Sequence, residues 1–275
     1  MSFDPRLTPM RGALAAASLE GLVAAASYVE PKTRQLTVPS AAIRREPRTE
    51  SEQMDQLLFG ELFDVLEETG GWAFGQARRD GYVGFVEASV LGGEPTEATH
   101  WVSALRTYAF SEPNIKSAPM GLYSMNALVA VEAREGRFAK GAGSGWFVEE
   151  HLSPIGFGET DHAAVAERFL GAPYQWGGRE SLGLDCSGLV QQALYACARA
   201  CPRDSDQQQG LGEAVDAPQR GDLVFWRGHV AIVTGENTIV HANAHHMCVA
   251  YEPLDQAMER IRAAGAGEPV GFRRI

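Results

Sequence analysis

The stretch GAPYQWGGRESLGLDCSGLVQQAL (residues 171–194) decides the fold of the C-terminal part of the chain, because a glycine-rich loop passes there directly into a helical pattern. Gly177 and Gly178 permit a tight loop, and Cys186 lies where that loop ends and the helix begins. A thiol reacts as its thiolate, and a helix N-terminus with a nearby imidazolium lowers the pKa of a cysteine. Cys186 is therefore either a small buried apolar residue or a nucleophile.

A second pattern supplies two histidines. The segment GHVAIVTGENTIVHAN (residues 228–243) predicts a β-hairpin, with His229 at the start of one strand and His241 near the end of the next. Counting outward from the turn, the two histidines fall within one residue of direct opposition, where side chains lie about 5 Å apart. One imidazole can then face the thiol while the other orients it, as in cysteine hydrolases. The alternative is that both are ordinary strand residues.

Length and composition indicate a multidomain globular protein. With 275 residues, two or three domains are expected. The fractions of hydrophobic residues (45%) and charged residues (21%) are ordinary for a protein with packed cores. The formal net charge of −11 disfavours a nucleic-acid partner and suits an amine-bearing ligand. The four cysteines form neither a disulfide framework nor a zinc pattern, which predicts reduced thiols in a reducing compartment.

The N-terminal segment is predicted to be a helical arm over residues 1–34. Leu14, Leu19 and Leu22 repeat at roughly helical spacing, which indicates a surface helix over residues 10–28. The alanine-rich apolar run is at the short limit for the core of a signal peptide, and no segment reaches the length needed to cross a bilayer. We therefore expect a cytoplasmic protein with no membrane partner, and an exported form is the alternative.

Two segments predict small antiparallel barrels. GGWAFGQARRDGYVGFVEASVL (residues 70–91) consists of short alternating runs separated by turn signals, and Gly81 suits a tight turn because it can adopt positive φ. EGRFAKGAGSGWFVEEHL (residues 135–152) repeats the order of glycine, aromatic strand, turn, aromatic strand and closing leucine. We predict tandem barrels over residues 35–93 and 100–155, and both resemble bacterial SH3-like domains.

The pattern changes again near residue 156. Helical patterns cover residues 161–171, 187–200 and 252–265, and strands are predicted for GDLVFW, HVAIVTG and TIVHAN. Helices followed by antiparallel strands make an α+β domain over residues 156–275. The fold class predicted for the whole chain is therefore α+β, with this domain preceded by two small barrels and the N-terminal arm.

Four segments of the C-terminal domain form one signature: GAPYQWGGRESLGLDCSGLVQQAL, PRDSDQQ, RGDLVFWRGHVAIVTG and IVHAN. The signature resembles that of the NlpC/p60 family of papain-like bacterial peptidases. The resemblance implies a papain-like fold in which Cys186 is the nucleophile, His229 the general base and His241 the orienting third residue. It also implies that the Tyr174 hydroxyl and the Cys186 backbone N–H hold the oxyanion. The alternative for Tyr174 is a place in the core beside Trp176, which we count among the substrate-binding residues.

The segment PRDSDQQ implies how a substrate is recognised. In relatives that act on short free peptides, an aspartate and a serine of this segment bind the N-terminal amine, and they correspond here to Asp204 and Ser205. A carboxylate facing an ammonium forms a charge-assisted hydrogen bond. The alternative is that Asp204 or Ser205 caps a helix that begins near Gln207.

Residues of the first barrel complete the pocket in similar multidomain members. An aromatic and an acidic residue close the end of the cleft there, and the matching candidates are Tyr82 and either Glu50 or Glu52. The alternatives are that Tyr82 belongs to the core of the barrel and that the glutamates are solvated loop charges.

The function that the resemblance implies is cleavage of the bond between γ-D-glutamate and a diamino acid in murein tri- or tetrapeptides with a free N-terminal L-alanine, during recycling of wall fragments. The alternatives are an inactive wall-peptide-binding protein and a related amidase or acyltransferase.

His245 and His246 follow His241 closely, but with the scattered cysteines they give no tetrahedral set of metal ligands. We therefore expect no metal and no cofactor.

Overall fold

The computed structural model describes residues 3–275, which form two compact units, Met1–Ile155 and Gly156–Ile275. The first unit consists of β-strands and short 3-10 turns, and the second mixes four α-helices with strands. Within the described residues, no helix combines the length and the apolar character needed to cross a bilayer.

The N-terminal segment is built of strands, so the predicted helix over residues 10–28 is wrong. The first three strands pair in the order β1-β2-β3 and are β1 Met10–Arg11, β2 Leu14–Ala16 and β3 Ser27–Val29. Gly12 and Gly21 have φ of 58° and 78°, values that favour glycine and interrupt a helix. The Tyr28 hydroxyl donates to the Val23 carbonyl at 2.6 Å. Turn geometry and burial of the alanines therefore override the approximate helical spacing of the leucines.

The first barrel is a six-stranded sheet in the order β4-β7-β8-β9-β5-β6. Its strands are β4 Lys32–Gln35, β5 Ser40–Arg44, β6 Gln53–Leu58, β7 Leu62–Thr69, β8 Trp72–Ala77 and β9 Val83–Glu87. Ile43, Leu57, Phe63 and Val86 are fully buried in its core. Gly81 has φ of 81°, as the predicted turn requires.

The second small β-module has a core of its own around Phe147 and Tyr123, whose ring centroids lie 5.0 Å apart. Its strands form sheets in the orders β12-β11-β16-β15-β14 and β13-β10-β17. They are β10 His100–Val102, β11 Arg106–Phe110, β12 Pro119–Ser124, β13 Leu128–Val129, β14 Val131–Glu135, β15 Phe138–Gly141, β16 Gly145–Val148 and β17 Leu152–Pro154. Phe59 follows strand β6 of the first barrel and packs edge-on against Tyr123 at 5.0 Å, so the two modules share part of one core. The SH3-like character of this second module stays a prediction.

The second unit contains a six-stranded sheet in the order β20-β25-β21-β22-β23-β24. Its helices are α1 His162–Glu167, α2 Cys186–Ala196, α3 Ser205–Gln208 and α4 Leu254–Ala263. Its strands are β18 Arg179–Glu180, β19 Gly183–Leu184, β20 Glu213–Val215, β21 Leu223–Trp226, β22 His229–Gly235, β23 Thr238–Asn243, β24 Cys248–Pro253 and β25 Gly271–Arg274. The α+β class predicted from the sequence is confirmed.

Two helices of this unit fix the positions of the candidate site residues. All eleven residues of α2 are buried, and the helix packs against β22 and β23. Leu254, Ala257 and Ile261 of α4 form a buried cluster with alternating residues of β21, β22 and β23. Burial of an apolar helix face is worth roughly 25 cal/mol per Å² of apolar surface. The first residue of α2 and the strand that begins at His229 are thereby held in one rigid core.

Candidate active site

Cys186 is the first residue of α2, as the loop-to-helix pattern predicted. Asp185 is the N-cap, and its Oδ1 accepts the Gly188 N–H at 2.8 Å. A Cβ atom on Gly188 would lie 2.2 Å from the carbonyl oxygen of Gly178, so no side chain fits there. Gly177 has φ of 71°, which favours glycine in the loop before the helix. The loop and the start of the helix are therefore packed directly against each other, which fixes the Cys186 side chain.

A buried ion pair holds this helix start in place. Two guanidinium nitrogens of Arg203 contact the two carboxylate oxygens of Asp185 at 3.0 and 2.7 Å, and Arg203 is 1% exposed. The same carboxylate accepts the Gly177 N–H at 2.8 Å, and Arg203 also donates to the Ser187 hydroxyl at 2.8 Å. The arginine of the PRDSDQQ segment is thus structural, a role that the sequence did not indicate.

The thiol of Cys186 lies in a polar environment although the residue is only 8% exposed. The backbone N–H groups of Val230 and Ser187 lie close enough to the sulfur to lower the pKa of the thiol. Burial, together with the charge of Asp185, raises the pKa of the thiol to about 12, although the two amides and Arg203 act in the opposite direction. Val230 directly follows His229, so the thiol lies beside the start of β22.

His229 and His241 form a direct pair. His229 Nε2 lies 2.9 Å from His241 Nδ1, and the ring centroids are 5.1 Å apart. The expected register is wrong by one further residue: β22 pairs Ile232 with Val240, so the two histidines are two residues from direct opposition. Glu236, at the centre of the turn, lies seven positions after His229 and five before His241, which already gives an offset of two residues, so the register shift after Val233 does not cause the difference. Diagonal neighbours lie on the same face of a sheet, which is why the rings still meet.

A carboxylate that sequence reasoning missed completes this row of side chains. Glu252 Oε2 lies 3.0 Å from His241 Nε2, and the Arg260 guanidinium holds Glu252 through contacts of 2.7 and 2.8 Å. Glu252 opposes Ile239 in the ladder between β23 and β24, which makes it a diagonal neighbour of His241. The sequence could have indicated Glu252 only through the register in which β24 pairs with β23. The turn between Asn243 and Cys248 does not fix that register.

Burial keeps both imidazoles neutral. It lowers the pKa of His229 to about 4, and the positive charge of Arg260 adds to the effect. Burial and the neighbouring His229 lower the pKa of His241 to about 3. Burial opposes ionisation of Glu252, but the Arg260 guanidinium outweighs it and lowers the pKa of that carboxyl. With Nε2 of His229 bonded to His241, Nδ1 of His229 is the nitrogen left to accept the thiol proton.

The neutral thiol and imidazole predict a pH profile. His229 must be unprotonated to act as a base, so we expect kcat/KM to fall as the pH decreases through about 4 and to be level between about pH 5 and 7. Because the thiol keeps its proton, ultraviolet difference spectra between the wild type and Cys186→Ser should show no thiolate absorbance at neutral pH. A thiolate band at neutral pH that Cys186→Ser removes contradicts the neutral pair.

Tyr174 lies beside the thiol, whereas Trp176 lies at the surface. The Tyr174 N–H donates to the Met247 carbonyl at 2.9 Å. Burial raises the pKa of the Tyr174 hydroxyl, and the nearby Cys186 raises it further, so the hydroxyl stays a hydrogen-bond donor. Trp176 is 61% exposed, which excludes the alternative of a shared core with Tyr174. The roles of both residues toward a substrate stay predictions.

Asp204 and Ser205 form the start of a short helix. Asp204 is the N-cap of α3, and its N–H donates to Gln207 Oε1 at 3.2 Å in a capping box. Ser205 is buried as the first residue of that helix. The alternative weighed from the sequence is therefore present in the structure. The amine-binding role of the two residues stays a prediction.

Tyr82, Glu50 and Glu52 belong to the first barrel. Tyr82 is 4% exposed. Glu50 accepts from the Thr49 hydroxyl at 2.9 Å, and hydrogen bonds from backbone and hydroxyl lower its pKa. Glu52 lies 2.9 Å from the Arg45 guanidinium at the surface. Their role at the end of a cleft stays a prediction.

Comparison with known families identifies two segments of the chain. Residues 171–266 match the NlpC/P60 family, and residues 43–91 match the bacterial dipeptidyl-peptidase Sh3 domain. The first match contains the cysteine, both histidines and Glu252. The second spans most of the first barrel.

Individual relatives extend over more of the chain. Dipeptidyl-peptidase 6 of Lysinibacillus sphaericus is 26% identical over 78% of this chain and 89% of its own length. The γ-D-glutamyl-L-lysine dipeptidyl-peptidase of Bacillus subtilis is 27% identical over 68% of this chain and 71% of its own length. The crystal structure of an NlpC/P60 family protein from Bacillus cereus aligns with a TM-score of 0.77 at 19% identity, over 88% of this chain and 99% of that one. The last match establishes a shared fold.

Proposed function

This chain carries an NlpC/P60 peptidase domain and a bacterial SH3 domain, and on that premise we propose that it is a cysteine peptidase that hydrolyses the γ-D-glutamyl–diamino acid bond of murein peptides. The observations that carry the proposal are the position of Cys186 at the start of α2, close to the backbone of Val230, and the direct contact of His229 with His241. A thiol, a base and an orienting group are the parts that covalent acyl transfer requires.

The reaction begins with a neutral thiol. Nδ1 of His229 takes the thiol proton while the sulfur attacks the γ-carbonyl carbon, so the thiolate forms during attack and not before it. The imidazolium that results is stabilised by its 2.9 Å contact with His241 and by the charge of Glu252 beyond it. The Tyr174 hydroxyl and the Cys186 N–H donate to the oxyanion.

The second half of the reaction restores the enzyme. The His229 imidazolium gives its proton to the amine of the diamino acid as the C–N bond breaks, which leaves a thioester on Cys186. Water then gives one proton to His229 and attacks the thioester, and the sulfur leaves as its proton returns from His229. The products are L-Ala-γ-D-Glu and the diamino acid, or a peptide that begins with it.

A free amino terminus is the proposed recognition element. The relative from Bacillus subtilis is named a dipeptidyl-peptidase, a term for enzymes that release two residues from a free end of a peptide. In this chain Asp204 supplies a carboxylate and Ser205 a hydroxyl for an ammonium group. The net charge of −11 favours the approach of a cationic end.

The proposed setting is recycling of wall peptides in the cytoplasm. A peptide still attached to sugar has no free L-alanine amine, so a site that needs this amine acts on released fragments. The four cysteines are free thiols in the structure, and free thiols persist in reducing compartments. Fractionation of the source cells, with the protein found in the soluble cytoplasmic fraction, tests the location.

The test compares L-Ala-γ-D-Glu-L-Lys and its diaminopimelate counterpart with their N-acetylated forms. We expect the free peptides to be cleaved with release of the diamino acid, and acetylation to reduce kcat/KM by about 100-fold or more, because it removes the ammonium group that pairs with the Asp204 carboxylate. Equal rates for free and acetylated peptides contradict the role of Asp204. Binding without turnover of any peptide contradicts the peptidase and supports a binding module.

Two variants separate recognition from helix capping. Asn is as good an N-cap as Asp, so Asp204→Asn keeps α3 and removes the charge. We expect it to raise KM for the free peptide while the melting temperature stays unchanged. Asp206→Asn, an exposed carboxylate in the same turn, is the matched control and should leave KM within about twofold.

A further inference from the structure

Three side chains beside the catalytic pair offer a second set of ligand atoms. One ring nitrogen each of His241 and His246 and a carboxylate oxygen of Glu252 all lie within 4.8 Å of one another. From the sequence no metal was expected, because the scattered cysteines gave the histidines no further ligand. The missing ligand comes from β24, whose pairing with β23 brings Glu252 beside His241.

Each of the three side chains is oriented by a neighbouring group, which for Glu252 is the Arg260 guanidinium on both carboxylate oxygens. His246 Nδ1 lies 2.9 Å from Asn243 Oδ1, an acceptor that fixes the proton on Nδ1 and leaves Nε2 for a ligand. His241 Nδ1 is bonded to His229 at 2.9 Å, and Arg260 holds Glu252. Histidines that bind metals typically have such a partner on the other ring nitrogen.

The contact between His241 and Glu252 supports a shared ion. His241 is 0% exposed, and its Nε2 has no aligned hydrogen-bond partner among the described residues. The Glu252 oxygen is 3.0 Å away but lies off the direction of the N–H bond. Two ligands of a tetrahedral zinc ion lie roughly 3.3 Å apart, since zinc–ligand distances are about 2.0–2.2 Å. The observed separation therefore suits two atoms that contact the same cation.

We propose that His241, His246 and Glu252 bind a divalent zinc-type cation reversibly and that the bound ion switches the hydrolase off. Two imidazoles and one carboxylate form a donor set that zinc accepts, with water in the fourth position. His246 is exposed, so its side chain can move the short distance that brings its ring nitrogen within bonding distance of an ion held by His241 and Glu252. Arg260 already neutralises the carboxylate, which limits the affinity and makes the ion a reversible ligand.

The ring protons explain the inhibition. A neutral imidazole carries one proton on its two nitrogens, so an ion on Nε2 of His241 forces its proton onto Nδ1. That nitrogen then donates to Nε2 of His229, and His229 carries its own proton on Nδ1. Nδ1 of His229 is the atom that must accept the thiol proton. No proton leaves the pair, but both tautomers shift and the base is lost.

The binding test uses the full chain with Cys186→Ser, so that zinc cannot bind the nucleophile. Calorimetric titration with zinc chloride is compared between this protein and the versions that also carry His246→Ala or His245→Ala. We expect His246→Ala to remove one bound equivalent and His245→Ala to keep it, because His245 is exposed and outside the ligand set. An unchanged number of bound ions in the His246→Ala protein overturns the proposal.

The functional test measures the rate at which iodoacetamide alkylates Cys186, with and without zinc. This reaction needs the base but no peptide, so its outcome is independent of the proposed substrate. We expect zinc to slow alkylation in the wild type and in His245→Ala, and His246→Ala to need at least about tenfold more zinc. All three proteins should alkylate equally without zinc. Equal zinc sensitivity of His246→Ala and wild type means that zinc binds the thiol itself, which overturns the proposal.

Discussion

Replacing Cys186 with serine is expected to lower kcat for hydrolysis of L-Ala-γ-D-Glu-L-Lys by at least about 10⁴-fold, because members of a nucleophile–base pair fail as a unit. His229→Ala should cost a similar factor, and the double variant should be no worse than either single one. Glu252→Gln keeps the shape but removes the charge behind His241, and a smaller loss on the order of tenfold to a hundredfold is expected. Initial rates of product release at saturating peptide measure all four.

Cys197→Ser is the matched control for these variants. Cys197 follows the last residue of α2 and is partly exposed, so its replacement should leave kcat within about twofold. Full additivity of Cys186→Ser and His229→Ala would mean that the two side chains act independently. That result contradicts a proton transfer between them.

Arg203→Met is expected to destabilise the second unit by about 3–5 kcal/mol, since it leaves the buried Asp185 carboxylate without its partner. The same carboxylate caps α2 and accepts from the loop amide of Gly177. Loss of the pair therefore loosens both sides of the nucleophile, and activity should fall together with stability. The free energy of unfolding from urea titration measures the effect.

Arg168→Met is the surface comparison. Arg168 lies 2.9 Å from Glu159, and both side chains are substantially exposed. Exposed pairs contribute about 0–1 kcal/mol, so this variant should stay within about 1 kcal/mol of the wild type. If Arg203→Met were equally mild, the ion pair would not be what holds the start of α2.

Local patterns predicted the second unit well. The strands predicted at GDLVFW, HVAIVTG and TIVHAN coincide with β21, β22 and β23, and the helix after Cys186 begins at that residue. These elements are buried, so apolar residues dominate their sequences and the pattern is strong. The helix predicted for the N-terminal arm is wrong for the opposite reason, because alanines and glycines give a weak periodic pattern. Two glycines with positive φ make turns there, and the segments beside these turns are strands.

The parts of the site that the sequence could not give depend on long-range register. Glu252 reaches His241 through the pairing of β24 with β23, and Arg260 reaches Glu252 from α4. Arg203 joins Asp185 across 18 positions of the chain. From the sequence alone, a charged residue in a strand or loop is expected to be exposed to solvent, and only its neighbours in space show that it is buried and paired. The candidate nucleophile Cys186, by contrast, is marked locally by the glycines before it and by the helix after it.

The most direct test of the account is the relative alkylation of the four thiols by iodoacetamide in the full chain, mapped by mass spectrometry of the digested protein. In the proposed mechanism His229 is the base for Cys186, and the thiol lies near the backbone of Val230, which follows His229, so Cys186 should be modified first. His229→Ala should slow the modification of Cys186 and not that of Cys197 or Cys248. Modification of all four thiols at similar rates, or a Cys186 rate that is indifferent to His229→Ala, would contradict a nucleophile activated by that histidine.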